Sequence, residues 1–262
     1  MGEVIAITSG KGGVGKTTLA ANIGAGLASN GKKTVLIDTD LGLRNLDILT
    51  GQENLIVYNL VDVIKGSCPF NQALLKHEQY DAFYLLPAAQ MKDKSAITAE
   101  QLKKLAVELK EQFDYIILDC PPGIEQGFQN AVAAADRAFI IATPTVASVR
   151  AADRVRGLIE KNGLRNCDLI LNRVRMDLIK RGDMMSIEDV TELLPIPLLG
   201  VLPEDEHVLV SENKKSLVLE VDCPTAKACR NICKRIEGEE VPFLDLGTGR
   251  HLFSKFSGIF RK

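Results

Sequence analysis

The sequence lacks any long apolar segment. No uninterrupted apolar run approaches the roughly 18 residues that a helix needs to span a bilayer, and residues 4–8 are too short for the core of a signal peptide. We therefore expect a cytoplasmic protein. A strong net charge is also lacking, because 32 Lys and Arg residues face 34 Asp and Glu residues. Contact with a nucleic acid or an anionic membrane would therefore have to come from a local patch.

Paired cysteines are absent as well. The six cysteines form no C-x-x-C motif, which argues against a disulfide scaffold; they are Cys68, Cys120, Cys167, Cys223, Cys229 and Cys233. The last three could in principle share a metal or an iron–sulfur cluster. Small buried side chains on a helix face are the expected role instead.

Short, continuously apolar runs recur at wide intervals in a chain that is 46% hydrophobic. They predict strands at Val4–Thr8, Thr34–Asp38, Phe83–Leu86, Tyr115–Asp119, Ala138–Ala142, Leu169–Asn172 and Leu198–Leu202. The segments between most of them have helical spacing. Thr17–Asn30 precedes Gly31, a predicted C-cap, and Thr98–Gln112 opens with a capping box. The alternation predicts an α/β fold with a doubly wound, mainly parallel sheet flanked by helices.

Composition divides the chain into three parts. No repeat or change of composition is visible before Glu237, so residues 1–236 are predicted to form one domain. Residues 237–249 (EGEEVPFLDLGTG) are rich in glycine and acids and are expected to form a flexible linker. Residues 250–262 (RHLFSKFSGIFRK) carry four Lys and Arg residues and no acid.

The last segment has the pattern of a basic amphipathic helix. At 100° per residue its apolar side chains share one arc, and basic residues occupy the rest. This favours a helix lying on an anionic membrane, with packing against the chain's own domain as the alternative. The predicted membrane residues are Leu252, Phe253, Lys255, Phe256, Ile259, Phe260, Arg261 and Lys262.

A phosphate-binding loop directly follows the first predicted strand. Gly10–Thr17 (GKGGVGKT) fits G-x-x-x-x-G-K-[ST], in which glycines let backbone N–H groups close around phosphate oxygens. Lys16 is expected to neutralise the β- and γ-phosphates, and the Thr17 hydroxyl is expected to bind Mg²⁺. The predicted phosphate-binding residues are Gly10, Lys11, Gly12, Gly13, Val14, Gly15, Lys16, Thr17 and Thr18.

The loop contains Lys11 in addition to Lys16, and this arrangement resembles that of one family of P-loop proteins. The stretch KGGVGKTT resembles the deviant Walker A motif of the MinD/ParA family of P-loop ATPases. The resemblance implies ATP and Mg²⁺ as cofactors and an ATP-dependent homodimer in which Lys11 reaches the partner's phosphates. A solvated loop lysine is the alternative for Lys11. Lys11, Lys16 and Asp40 are the predicted catalytic residues, in an ATPase expected to be slow and stimulated by partners.

Other landmarks of the family can be located individually. Asp38-Thr39-Asp40 resembles switch I, with Asp40 positioning the attacking water and Asp38 near the magnesium. Asp119 resembles the Walker B acid, and Gly123 would give its N–H to the γ-phosphate. Thr17, Asp38 and Asp119 are thus the predicted metal residues. Cys120-Pro121-Pro122 departs from the small hydroxyl residue and alanine that relatives often carry there.

The base of the nucleotide is expected at two further strand ends. The Asn172 amide has the donor and acceptor that an adenine edge requires, although an Asx turn or a cap is an alternative. Pro203, Glu204 and Asp205 resemble the family's other base-contacting loop. ATP is expected over GTP, also because a guanine-binding N-K-x-D motif is missing.

The resemblance is greatest to the septum-site members of the family. Besides the loop and the tail it includes Asp38–Asp47, Ala147–Arg150 and Arg181–Val190. It implies MinC and MinE, or another topological factor, as partners, and a peripheral location on the inner face of the cell membrane when ATP is bound. The candidate partner residues are Asn45, Ser148 and Asp153, with ordinary surface polar residues as the alternative.

Three other functions stay open on the sequence. A ParA-type partition ATPase would bind DNA, for which Arg150–Arg181 offers nine basic and four acidic residues, whereas we expect no sequence-specific nucleic acid. A flagellar-number ATPase would keep the membrane tail. A membrane-tethered nucleotide sensor without turnover is the non-enzymatic alternative. Iron–sulfur relatives would need the paired cysteines that are missing.

Overall fold

The structure, a computed structural model, describes residues 1–42, 45–90 and 97–246. The predicted membrane residues therefore lie outside the described part. Within that part the strands are β1 (Glu3–Thr8), β2 (Thr34–Asp38), β3 (Leu75–Lys76), β4 (Phe83–Leu86), β5 (Tyr115–Asp119), β6 (Arg137–Ala142), β7 (Cys167–Val174) and β8 (Leu198–Pro203). They form one sheet in the order β3-β4-β2-β5-β1-β6-β7-β8, antiparallel only between β3 and β4.

Helices connect the parallel strands. They are α1 (Lys16–Ser29), α2 (Leu46–Leu49), α3 (Leu60–Ile64), α4 (Phe70–Ala73), α5 (Ala99–Leu109), α6 (Gln126–Ala134), α7 (Val146–Lys161), α8 (Met176–Arg181), α9 (Ile187–Leu193), α10 (Glu206–Asn213) and α11 (Pro224–Ile236), with a 3₁₀ turn at Val218–Glu220. None of these described helices is long and apolar enough to cross a membrane.

The sheet is buried on both faces. Ile5 and Ile7 of β1 belong to an apolar cluster with side chains of α1 and α11, whereas Val4 and Ala6 belong to a second cluster with side chains of α5. A third cluster joins β6–β8 to α7 and α9. The predicted doubly wound α/β fold is confirmed, because strands covered on both faces need apolar residues at every position.

The predicted helix signals are present. Thr98 caps α5 in a capping box with Gln101, and Gly31 follows the C-cap of α1 with φ of +81°. All six cysteines are free and buried, and Cys229 and Cys233 lie on α11 as expected, whereas Cys223 is the N-cap of that helix. Cys233 of α11 contacts α1, because its thiol donates to the Ile23 carbonyl at 3.5 Å.

The structure describes residues 237–246 of the expected flexible linker. Residues 241–246, which we call the strap, have no regular secondary structure but pack against the domain. Phe243 and Leu246 contact the cluster of β6–β8, α7 and α9, and Leu244 contacts the cluster on the other face. The prediction of flexibility rested on the glycines and acids of residues 237–249 as a whole, whereas the strap contains no glycine and a single acid, and three of its apolar side chains contact the domain.

Candidate functional site

The glycine-rich loop lies between β1 and α1, at the carboxyl end of a central strand. Gly13 and Gly15 have φ of +76° and +89°, a conformation that side chains with a Cβ rarely adopt. A Cβ at Gly12 or Gly13 would meet no atom within 4 Å, so this side of the loop is open. Open loop backbone beside the start of a 14-residue helix is the geometry that a phosphate group requires.

The two lysines of the loop have opposite environments. Lys16 is 7% exposed, and its Nζ contacts Asp119 and lies 3.3 Å from Thr17 Oγ1. Burial lowers the pKa of Lys16, but the charge and hydrogen bond of Asp119, together with the neighbouring Asp38, outweigh burial, so the pKa is raised. Lys11 is exposed. The structure thus separates a buried lysine that is paired within its own chain from an exposed lysine on the same loop.

Two buried carboxylates lie beside Lys16. Asp38 and Asp119 end neighbouring strands and are paired in register, with exposures of 2% and 1%. Burial and the neighbouring Asp119 charge raise the pKa of Asp38 well above its usual value. A hydroxyl and two buried carboxylates form the hard oxygen donor set that Mg²⁺ prefers. Thr17, Asp38 and Asp119 therefore fit the predicted magnesium site.

The two predicted switch segments start at the same strand ends. The Asp40 amide donates to Asp38 Oδ1 at 3.0 Å, and the Thr39 hydroxyl donates to the Asp119 carbonyl at 2.7 Å. Gly123 has φ of +94° with no atom near its Cβ position. The structure therefore brings the predicted catalytic carboxylate, the metal residues and the predicted γ-phosphate donor to one edge of the sheet.

Asn172 is placed differently from the simplest expectation. Its Nδ2 donates to the Val14 carbonyl at 2.8 Å, so its amide supports the phosphate-binding loop. An adenine contact by Asn172 must share the amide with this bond. The next residue, Arg173, has φ of 58°, an uncommon conformation that accompanies a break in the register of β7 with β8.

The second predicted base loop follows β8. Pro203 pairs with Val174, and the Glu204 amide donates to the Val174 carbonyl at 3.1 Å. Asp205 is the N-cap of α10 and accepts hydrogen bonds from His207 and from the amide of Thr225. The two predicted base-contacting loops, which follow β7 and β8, therefore lie side by side.

Sequence reasoning missed a contact that involves Thr18. Its hydroxyl donates to Glu212 Oε1 of α10 at 2.5 Å. Asn22, one turn further along α1, donates to the Thr18 carbonyl and accepts from the Leu219 amide. No sequence motif marks Glu212, which is 194 residues from Thr18.

The candidate partner residues have three different environments. Asn45 is exposed at the N-cap of α2, and Asp153 is exposed and paired with Arg156 at 2.9 Å. Ser148 is only 2% exposed, and its Oγ accepts the Thr143 amide at 3.0 Å. The Ser148 side chain thus makes a buried contact within this chain, and the partner roles of Asn45, Ser148 and Asp153 stay predictions.

This arrangement defines the class of the protein. A P-loop between a central parallel strand and its helix, with carboxylates at adjacent strand ends, is the nucleotide site of a P-loop nucleoside triphosphatase.

Comparison with known proteins identifies the family within this class. Residues 2–169 match a family described as an AAA domain. The septum site-determining protein MinD of Synechocystis sp. is 50% identical over 247 residues, which is 94% of this chain and 93% of the relative.

Solved structures agree with that relationship. The MinC:MinD cell division protein complex of Aquifex aeolicus has a chain that is 44% identical with a TM-score of 0.86, covering 92% of this chain and 97% of its own. MinD of Pyrococcus horikoshii, complexed with Mg-ADP, is 26% identical with a TM-score of 0.81, covering 90% and 96%. This chain belongs to the MinD family of septum site-determining ATPases. It is accordingly a nucleotide-hydrolysing enzyme that uses ATP and Mg²⁺.

Proposed function

We propose that this protein is an ATP-switched membrane ATPase that positions the division septum. ATP binding forms a homodimer, the dimer holds the inner face of the cell membrane through two C-terminal segments, and hydrolysis releases it. The membrane-bound dimer recruits MinC, which is supported by the Aquifex complex of a related chain with MinC. MinE or another topological factor stimulates the slow hydrolysis.

The contrast between the two loop lysines carries the proposal. Lys16 already contacts Asp119 within its own chain, whereas Lys11 is exposed on the same loop. An exposed cation beside a phosphate site can neutralise phosphates bound by a second subunit, and that subunit returns the same contact. ATP then adds attraction across the dimer interface that ADP, with one phosphate fewer, supplies less well.

The hydrolytic step needs positioning more than covalent chemistry. Asp40, held by the bond between its amide and Asp38, orients the attacking water. Thr17, Asp38 and Asp119 would hold Mg²⁺, which neutralises charge on the phosphates when bound. Lys16 and the partner's Lys11 stabilise the remaining charge, and the Gly123 amide contacts the γ-phosphate.

The C-terminal segment explains why the dimer is needed for membrane binding. Its five apolar side chains offer a gross gain of about 10 kcal/mol if fully buried. Ordering about a dozen residues at roughly 1–2 kcal/mol each cancels most of that gain. A single segment therefore binds marginally, and two on one dimer gain roughly 10²–10⁴ in avidity.

The decisive experiment is co-sedimentation with anionic liposomes in ATP and in ADP. The full chain should sediment with ATP only, and a version ending at Gly249 should not sediment with either nucleotide. Lys11→Ala should also lose ATP-dependent sedimentation, whereas Lys161→Ala, which removes an exposed lysine at the end of α7, should retain it. Binding that ignores the nucleotide, or that survives truncation, would contradict the proposal.

DNA binding is not part of the proposal. Three arginines of the basic stretch are paired with acids: Arg156 with Asp153 and Glu160, Arg175 with Asp177, and Arg181 with Asp183. Paired cations attract phosphate backbones less strongly. Retention of DNA by the full chain in ATP, without retention of liposomes, would favour the partition alternative.

A further inference from the structure

An open cleft of about 680 Å³ lies at the carboxyl ends of β7 and β8. Its size is that of a small-molecule site. Four parts of the chain line it: the end of β7 and start of α8, the end of β8, the start of α11, and the strap. The lining residues that matter here are Val174, Pro203, Glu204, Pro224, Leu244 and Leu246.

The cleft adjoins the phosphate-binding loop. Asn172 contacts Val14 of that loop, and Val174, two residues further along β7, lines the cleft. At about 3.3 Å per residue the two positions are separated by only about 7 Å. A nucleoside attached to phosphates in the loop therefore has this cleft within reach, and Pro203 and Glu204 already belong to the predicted base loop.

The outer wall of the cleft is the strap. Leu244 and Leu246 supply apolar surface to the cleft while packing on clusters at opposite faces of the sheet. Arg235 of α11 anchors the strap, because its guanidinium donates to the carbonyls of Val241 and Pro242 at 3.0 and 2.9 Å. The same group donates to the Leu199 carbonyl of β8 at 3.0 Å and lies 4.2 Å from the Phe243 ring centroid.

We propose that the strap is a wall of the nucleoside-binding cleft and that a bound purine nucleoside fixes it in place. The inference rests on the proposed function, since it adds a link between the bound nucleotide and the predicted membrane segment. Only residues 247–249 separate the strap from that segment. Occupancy of the cleft would thus set the direction in which the chain leaves the domain.

Hydrogen exchange of the unaltered full chain tests the proposal directly. The peptide that covers residues 240–247 should exchange more slowly in Mg²⁺ and ADP than without a ligand. Inorganic tripolyphosphate with Mg²⁺ is the matched probe, because it fills the phosphate loop and has no base. Equal protection by ADP and tripolyphosphate, or no protection by either, would overturn the proposal.

Strap variants provide a second measurement. Leu244→Ala combined with Leu246→Ala should weaken ADP binding by about tenfold, because apolar contact with the base is lost. Tripolyphosphate binding should stay within twofold of the unaltered chain. Val107→Ala, at a 56% exposed position on α5, is the control and should change neither affinity. Equal losses for both ligands would show that the strap only supports the fold.

These tests separate the inference from the proposed function. They use ADP or tripolyphosphate without lipid, so a failure of ATP-dependent liposome binding would leave their outcome unaffected. Conversely, normal ATP-dependent liposome binding together with an unprotected strap would overturn only the inference.

Discussion

A comparison of variants at Lys16 and Lys11 tests the electrostatics of the site, because Lys16 is buried in a pair with Asp119 whereas Lys11 is exposed. Lys16→Met keeps the length of the side chain but leaves Asp38 and Asp119 buried without the cation. The side chains of Lys16 and Asp119 are 8% and 2% exposed. Removing one partner of such a buried pair costs about 3–5 kcal/mol. Lys11→Met, on the same loop but exposed, should change stability by no more than about 0.5 kcal/mol.

Urea unfolding without nucleotide or metal measures these losses. The double variant Lys16→Met with Asp119→Asn should lose at least about 1 kcal/mol less than the sum of the two single variants, since the neutral amide no longer needs a cation. Equal losses for Lys16→Met and Lys11→Met, or strictly additive losses in the double variant, would refute the reasoning.

The same prediction has a pH dependence with a defined sign. The folded-state pKa of Asp38 is raised by burial and by the Asp119 charge, so charging Asp38 destabilises the fold as the pH rises through that pKa. Protonated Asp38 no longer needs a neighbouring cation. The stability lost in Lys16→Met should therefore be smaller at pH 5.5 than at pH 8. A loss that is independent of pH would assign the effect to packing.

Two further predictions concern packing and capping. The Cβ of Gly26→Ala would lie 2.6 Å from Cys233 Sγ, so the variant should lose about 1–3 kcal/mol, and adding Cys233→Ala should restore stability in urea unfolding. Burial raises the pKa of Asp205, but hydrogen bonds from His207 and Thr225 outweigh burial and lower this pKa to about 2. The charged Asp205 carboxylate therefore stabilises the fold above its unfolded pKa, and this stabilisation is lost as the pH falls through the folded-state pKa. Asp205→Asn should therefore be less stable than the unaltered chain at pH 7, with a difference that narrows from pH 5 to pH 3; a constant difference would contradict this.

The features that the sequence predicts well are local in the chain. Seven strands were predicted because each is a continuous apolar run between turn residues, and the boundaries of three agree to the residue: Thr34–Asp38, Phe83–Leu86 and Tyr115–Asp119. The phosphate-binding loop was equally accessible, because eight consecutive residues define it. The strand Leu75–Lys76 was missed, since two residues show no periodicity.

The contacts that the sequence did not predict join distant residues. Lys16 and Asp119 are 103 residues apart, and Thr18 and Glu212 are 194 residues apart. Each residue alone is compatible with many environments, so only the fold selects the partner. Ser148 shows that a local contact can be missed as well: the family resemblance made it a candidate partner residue, whereas its buried side chain accepts the Thr143 amide.

The position of the strap is related to the edge of the sheet, which composition alone does not reveal. β8 is the last strand of the sheet, and an uncovered edge strand presents unpaired backbone groups. Arg235 satisfies the Leu199 carbonyl of that edge and holds the strap, whose apolar side chains pack on both faces of the sheet. Covering the edge also carries the chain toward the end of β8, where the base loop begins. The strap therefore lies both at this edge of the sheet and at the cleft that we propose for the nucleoside, so the proposed coupling of nucleotide to strap would need no additional element.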